Sequence, residues 1–454
     1  MKKLNNSMLE GPLLPSILSY TLPIILTSFL NIGFHTADKI ITGQFCGNMA
    51  LAAVSAAGAP ANLIVTLFMG LSVGVSVAVS QAIGAKNEAE VQKTVHTAVP
   101  TALIIGVVLT IFGLFTAKPL LRFLNTPESV LPMANTYLSI FYLGMTFNIL
   151  YGYCAAILRA VGDTKSPLFF LALSGATNVV LNVIFVTLFH MDVAGVALAT
   201  VISQAVSALL VIRTLLRRTD SCKLVVDELQ ISRPHLLKII RIGLPAGIQS
   251  SLFAISNTVI QSSVNSFGEV FMSANAAAGS IDGYVYTTMT SFGQTAVNFV
   301  GQNHGARQYD RIRKVIFICL ACVLVIGIPV GQLANRFSPQ LLSMFIKDSP
   351  EAIAYGMIRI SIVSVTYFLC GMLDVISGAL RGLGASSVPM IVSVLGICGL
   401  RVGWIYSVFQ IPEYHTPECL FFSYPLSWIV TLTVETVMLI FVYKKHKRIH
   451  EVSI

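Results

Sequence analysis

Charge is what this chain lacks. Asp, Glu, Lys and Arg together supply 11% of its residues, against about 25% in ordinary soluble domains. With 55% hydrophobic residues and a mean hydropathy of +0.79, a soluble fold is excluded and an all-α integral membrane protein is expected. Catalytic motifs are missing as well. There is no His-Glu-x-x-His, no phosphate-binding Walker loop and no tight grouping of His or Cys, so an intramembrane enzyme or an ATP-driven pump finds no chemistry here. Nothing calls for a cofactor. The cysteines do not read as a disulfide framework, because Cys154, Cys319, Cys322, Cys370 and Cys398 sit inside apolar runs, where a thiol is a small core side chain. Cys319 and Cys322 have redox spacing, but a reactive thiolate needs a polar setting that an apolar helix does not provide.

What is there is apolar length. Spanning about 30 Å of hydrocarbon takes roughly 20 residues of helix. Twelve runs qualify, near 13–42, 50–82, 94–117, 131–158, 167–190, 193–216, 236–264, 270–300, 314–336, 353–380, 388–411 and 418–443. The first follows Met1-Lys2-Lys3, is too long for a signal peptide and lacks a cleavage pattern, so it is expected to remain as a span. The formal net charge of +9 would suit a nucleic acid, yet its distribution points to a bilayer instead. Assigning loops alternately, one side receives Lys2, Lys3, Lys86, Lys93, Arg159, Lys165, the connector from Arg213 to Arg241, Arg307 to Lys314, Arg381 and the tail Lys444 to Arg448. The other receives only Lys118, Arg122, Arg336 and Lys347. The positive-inside rule then places both termini in the cytoplasm of a multi-pass cell-membrane protein. Membrane lipid is a partner, nucleic acid is not, and no obligate protein partner is implied.

The chain also repeats itself at an offset of about 222 positions, Leu22-Pro23 answering to Leu244-Pro245 and Arg159 to Arg381. Gln81 to Lys86 answers to Gln302 to Arg307, and Pro167 to Pro389. A long-period repeat in an apolar chain is the mark of a transporter built from two related halves. Six spans per half is an even number, so the repeats run parallel, related by a pseudo-two-fold along the membrane normal. The expected division is a bundle over 1–216, a cytoplasmic linker over 217–235 and a second bundle over 236–454. Gly70-x-x-x-Gly74, Gly327-x-x-x-Gly331 and Gly399-x-x-x-Gly403 read as close-packing motifs.

A carboxylate at lipid depth costs about 2.5–3.5 kcal/mol on insertion scales, so an acid inside a span suggests function. Asp38, Asp282, Asp374 and Glu435 qualify. Asp38 lies roughly 8 Å below the outer end of the first helix by the helical rise. Asn178 and Asn182, four apart on one face of the fifth helix, and Thr200, about 10 Å down the sixth, reach the same layer. A carboxylate, two amides and a hydroxyl make a hard-oxygen cluster suited to Na+, and the same carboxyl, withdrawn from water, could instead take a proton. Lys39 is about 100° away around the helix and is expected to point elsewhere. At the repeat offset Asp38 becomes Ile260, Asn178 becomes Leu400 and Asn182 becomes Trp404, so the halves share a scaffold but not a chemistry. Asp374 is either a second coupling or substrate-facing group or a structural partner of Arg401. Asp282 and Glu435 read as mostly structural or water-facing. Gln261, Tyr284 and Met289 are candidate substrate-facing residues that could equally be packing.

At Asp38, the Asn178-x-x-x-Asn182 pair and the two Leu-Arg-x-x-Gly turns, the sequence resembles the multidrug and toxic compound extrusion (MATE) transporters. The resemblance covers nearly the whole chain. It implies antiport driven by Na+ or H+, exporting cationic or amphipathic organic compounds by alternating access. It further implies that Asp38 is a coupling carboxylate, that Asn178 and Thr200 belong to an ion site, and that Asp374 matches an acid often found in the tenth helix. Two departures stand out. Asn182 occupies a position that is Asp in many members, leaving one carboxylate where others have two. The seventh-helix Glu of another branch is absent, with Phe253 and its neighbours apolar. A flippase for lipid-linked oligosaccharides is the rival of related architecture. It should grip pyrophosphate with buried Arg and Lys, and only Lys39, Arg359 and Arg401 lie at depth.

Overall fold

The computed structural model describes residues 8–346 and 349–452. Lys2, Lys3 and Lys347 of the charge distribution lie outside them. The described residues are all-helical, without strands. Twelve long helical segments are seen. We number them α1 (Leu13–Ile41), α2 (Gly47–Gly84), α3 (Glu88–Phe123), α4 (Leu131–Leu143 and Met145–Val161) and α5 (Lys165–Val183). Then follow α6 (Asp192–Arg217), α7 (Arg233–Asn265), α8 (Glu269–Gly305) and α9 (Tyr309–Arg336). The last are α10 (Pro350–Arg359 and Val365–Gly382), α11 (Ser387–Ser393 and Leu400–Tyr406) and α12 (Pro417–Val452).

By length and hydropathy, nine helices among the described residues can cross a membrane, or ten with α4, which bends by 45°. One of those nine, the run Leu13–Gly84, is two spans joined by a π-turn, Thr42–Cys46. α8, expected over 270–300, is the span whose hydropathy falls short. It is 37 residues long but carries Asn275, Asp282, Thr288, Ser291, Thr295 and Asn298 along its buried face.

The repeat reappears in the backbone. Gly47 and Gly268 (φ 85° and 92°), Lys86 and Arg307 (φ 54° and 59°), and Gly162 and Gly384 (φ 103° and 85°) occupy corresponding positions with positive φ. Lys86 and Arg307 adopt a left-handed conformation that costs a non-glycine residue strain, and the same cost recurs at the same turn in each half.

Packing divides the chain into two units, and the division falls inside helices rather than between bundles. Unit 1 is Leu22–Gly247 with a short N-terminal piece outside the described residues; unit 2 takes Ser7–Thr21 and Ile248–Ile454. Residues 8–21 and 236–247 thus group opposite to the expected 1–216 and 236–454. The reason is local. In unit 2, Thr21 shares a 2.8 Å hydroxyl bond with Thr295, Tyr20 packs edge-on to Phe299 at 5.4 Å, and Arg311 donates to the carbonyls of Met8, Glu10 and Gly11. In unit 1, α7 enters against α2 through glycine. A Cβ at Gly70 would lie 2.2 Å from the Gly247 backbone, and one at Gly74 would lie 2.1 Å from Ile239 O. Such backbone approach, available only to glycine, is how helices associate where lipid removes the hydrophobic drive. Gly327 and Gly331 also pack closely, against Met289 and Ser364, whereas Gly403 has open space and does not.

Unit 1 closes over fully buried Tyr142, Met145 and Tyr153; unit 2 over Phe271, Phe409 and Phe421. Phe115, Phe123 and Phe317 point outward, as lipid-facing side chains do. The linker after α6 is extended, with one 3-10 turn at Val226–Glu228 and no amphipathic helix. It is tied to α3, where Val225 N–H donates to His96 Nε2 at 3.0 Å and Ser232 N–H to Thr97 Oγ1 at 3.2 Å.

Candidate functional site

Unit 1 brings Asp38, Asn182, Asn178 and Thr200 into one line of hydrogen bonds. Asn182 Nδ2 donates to Asp38 Oδ1 at 2.5 Å and to Asn178 Oδ1 at 3.3 Å. Asn178 Nδ2 in turn donates to Thr200 Oγ1 at 3.3 Å, and Thr200 donates to the Val196 carbonyl at 3.0 Å. Three helices converge to do this: α1 brings the acid, α5 both amides from one face, and α6 the hydroxyl. Close contact between α1 and α5 needs Gly175, where a Cβ would collide with the Phe34 ring at 1.8 Å. Asp38 is 9% exposed and Asn182 fully buried.

Asp38 forms no ion pair among the described residues, and Lys39 is exposed on another face. Asn182 Oδ1 is buried without a hydrogen-bond partner. A buried amide oxygen left unmatched is costly unless something else meets it. The four residues together offer a carboxylate, two amide oxygens and a hydroxyl, a donor set that fits a hard monovalent cation. Among the described residues no three His, Cys, Asp or Glu side chains cluster as a transition-metal site would require.

The remaining candidates are dispersed through unit 2. Asp374 on α10 is half-buried, and its Oδ2 has no hydrogen-bond partner. It makes no pair with Arg401, whose Nε donates instead to Ser427 Oγ at 2.9 Å while its guanidinium stacks 4.1 Å over the Tyr424 ring. Met289 is fully buried against Gly327 and Gly371, a packing position. Tyr284 is exposed. Gln261 is exposed on α7, bonded to Asn265 and Asn275.

Sequence reasoning missed two buried networks here. Arg359 pairs with Asp282 at 2.7 Å and with Asn275 Oδ1 at 2.5 Å, and Ser364 also donates to Asp282. Glu435, fully buried on α12, accepts from Ser377 at 2.6 Å and Ser393 at 2.7 Å. The available signal was the presence of Arg359 within an apolar run, since such a cation requires an acid nearby.

Residues 23–184 and 245–406 each match the MatE family model, at the offset of the internal repeat. The chain belongs to the MatE family. It is therefore a multi-pass membrane transporter and not an enzyme. MatE relatives include the probable multidrug resistance protein YoeA of Bacillus subtilis, 30% identical over 352 residues, with 75% of each chain covered. The probable multidrug resistance protein YpnP of the same organism is 27% identical over 398 residues, covering 86% of this chain and 87% of its own. Among solved structures, an outward-facing multidrug resistance MATE transporter of the MOP superfamily superposes with a TM-score of 0.91. It covers 99% of both chains at 21% identity, a likeness of fold.

Proposed function

We propose that this MatE transporter exchanges a sodium ion or a proton for cationic or amphipathic organic compounds, exporting them across the cell membrane by alternating access. The reading rests on the Asp38–Asn182–Asn178–Thr200 chain, with its lone acid and its unmatched amide oxygen. The relatives named as multidrug resistance proteins support the substrate class.

The site is built to change charge. Asp38 is in no ion pair among the described residues and bonds a neutral amide, so its negative charge is balanced when a cation binds and bare when the cation leaves. Sodium would draw on the oxygens of Asp38, Asn178, Asn182 and Thr200 together. A proton would need Asp38 alone. In either case the loaded and unloaded sites differ by a full charge at lipid depth, a free-energy difference large enough to bias one conformation over another. Division of the chain within α1 and α7, beside Pro23 and Pro245, supports the expected exchange of access, since proline removes a helical hydrogen bond and permits a bend. Both termini are assigned to the cytoplasm on the distribution of Lys and Arg.

The test is dye efflux from reconstituted vesicles, comparing a sodium jump with a pH jump. Efflux driven by one of them supports the reading and identifies the ion. Equilibration that follows the dye gradient alone, indifferent to both jumps, overturns it.

A further inference from the structure

Arg401 is a buried charge outside the coupling site with no acidic partner among the described residues. It sits in α11 with 4% of its surface exposed. Its Nε is used by Ser427, whose own hydroxyl proton goes to the Tyr424 carbonyl. No carboxylate among the described residues pairs with it: Asp282 is taken by Arg359, and Glu435 is held by two serines. Stacking over Tyr424 at 4.1 Å and Trp428 at 5.6 Å returns only part of what an uncompensated cation costs at this depth. A guanidinium held by its flat face leaves its edge donors for a planar anionic head group, which lysine could not match.

The surroundings say what kind of molecule carries that head group. Trp428 lies 5.8 Å from Tyr424 and 5.2 Å from Tyr367, and Tyr367 lies 5.8 Å from Tyr286. Tyr286 is 40% exposed. A row of four rings thus leads from the surface of unit 2 to a buried cation. Tyr367, Trp428 and Tyr424 are buried, so a flat aromatic body enters past the exposed Tyr286 only as the inner rings part, and its acid then meets the guanidinium.

We propose that unit 2 of this transporter holds a recognition site for aromatic organic anions, with Arg401 binding the acidic group and Tyr286, Tyr367, Trp428 and Tyr424 the ring system. The proposal rests on the reading of the chain as an exporter of organic compounds and widens it beyond cations.

Carboxyfluorescein and rhodamine 6G, xanthene dyes of similar shape and opposite charge, test it by fluorescence anisotropy with purified protein in an uncharged detergent. Wild type is expected to bind carboxyfluorescein. Arg401→Met should weaken that binding at least tenfold while rhodamine 6G binding does not fall, Arg401→Lys and Tyr286→Leu should weaken it several-fold, and thermal unfolding at the wild-type temperature certifies the fold of each variant. Equal carboxyfluorescein affinity in wild type and Arg401→Met, or no binding to wild type, overturns the proposal. Ion-driven efflux of rhodamine 6G from vesicles reads the exporter function separately, so loss of one does not imply loss of the other.

Discussion

Replacing Asp38 with Asn should leave a folded transporter that no longer builds a gradient. Asn keeps the shape of Asp and leaves an oxygen where Asp38 Oδ1 accepts the 2.5 Å bond from Asn182. The structural penalty is the weakening of one charge-assisted hydrogen bond to a neutral one, about 1 kcal/mol. The functional penalty is the whole of the coupling. In one-for-one exchange of monovalent cations the moved charges cancel, so the ion's concentration ratio alone sets the substrate ratio. A tenfold sodium gradient, or one pH unit, is worth about 1.4 kcal/mol and holds a cationic dye at about a tenfold ratio. Asp38→Asn is expected to hold it near one, with thermal unfolding in detergent little changed. The assay is the steady-state dye distribution in vesicles under an imposed gradient of each ion. A variant that reaches the wild-type ratio would refute the assignment of Asp38 as the coupling acid.

Thr200→Val removes a hydroxyl of the same site at nearly constant volume. If sodium is the driving ion, its apparent affinity should fall several-fold as one oxygen is lost; if a proton is, the dependence on pH should not move. Arg359→Met should destabilise unit 2 by about 3–5 kcal/mol, because Asp282 is left as an unpaired buried charge. The double change Asp282→Asn with Arg359→Met should recover most of that loss in thermal unfolding, and failure to recover would show that the pair is not the main term. His96→Ala should free the linker, since the half-buried Val225 N–H then loses the acceptor it reaches at 3.0 Å, a loss of about 1 kcal/mol. Trypsin cleavage at Arg218 and Lys223 is expected to accelerate, and an unchanged rate would mean that the other linker bonds suffice.

Most of the fold was legible because lipid leaves the chain few options. Apolar length located all twelve spans, α8 included, and the offset of Leu22-Pro23 and Arg159 located the repeat. What escaped was anything set by a partner distant in sequence. Gly243-x-x-x-Gly247 has the same spacing as the close-packing motifs, but which helix it meets, α2, is not written in the sequence, and Thr21 reveals its tie to Thr295 only in three dimensions. The Asp38 line was legible because depth arithmetic works along straight helices and because amides four residues apart share a face. Arg359 with Asp282, and Glu435 with its serines, were not, since each pair lies on helices whose relative rotation no single sequence encodes.

That rotation has an identifiable origin. Among the described residues every π-turn adjoins a polar group at depth. Thr42–Cys46 follows Asp38 by one turn, Ile184–Leu188 follows Asn182, Ile360–Ser364 follows Arg359, and Val394–Gly399 precedes Arg401. A π-turn admits one extra residue, which shifts everything beyond it around the helix axis by about 100°. It also breaks the regular ladder, and the released groups are met locally, as when Thr42 donates to the Asp38 carbonyl at 2.7 Å. Hydrophobic periodicity therefore changes phase at the very positions that carry the chemistry. The two halves can share one scaffold and still hold different sites, because a single inserted residue near each site is enough to aim an acid, an amide or a guanidinium inward where its counterpart in the other half is an apolar side chain or lies on another face.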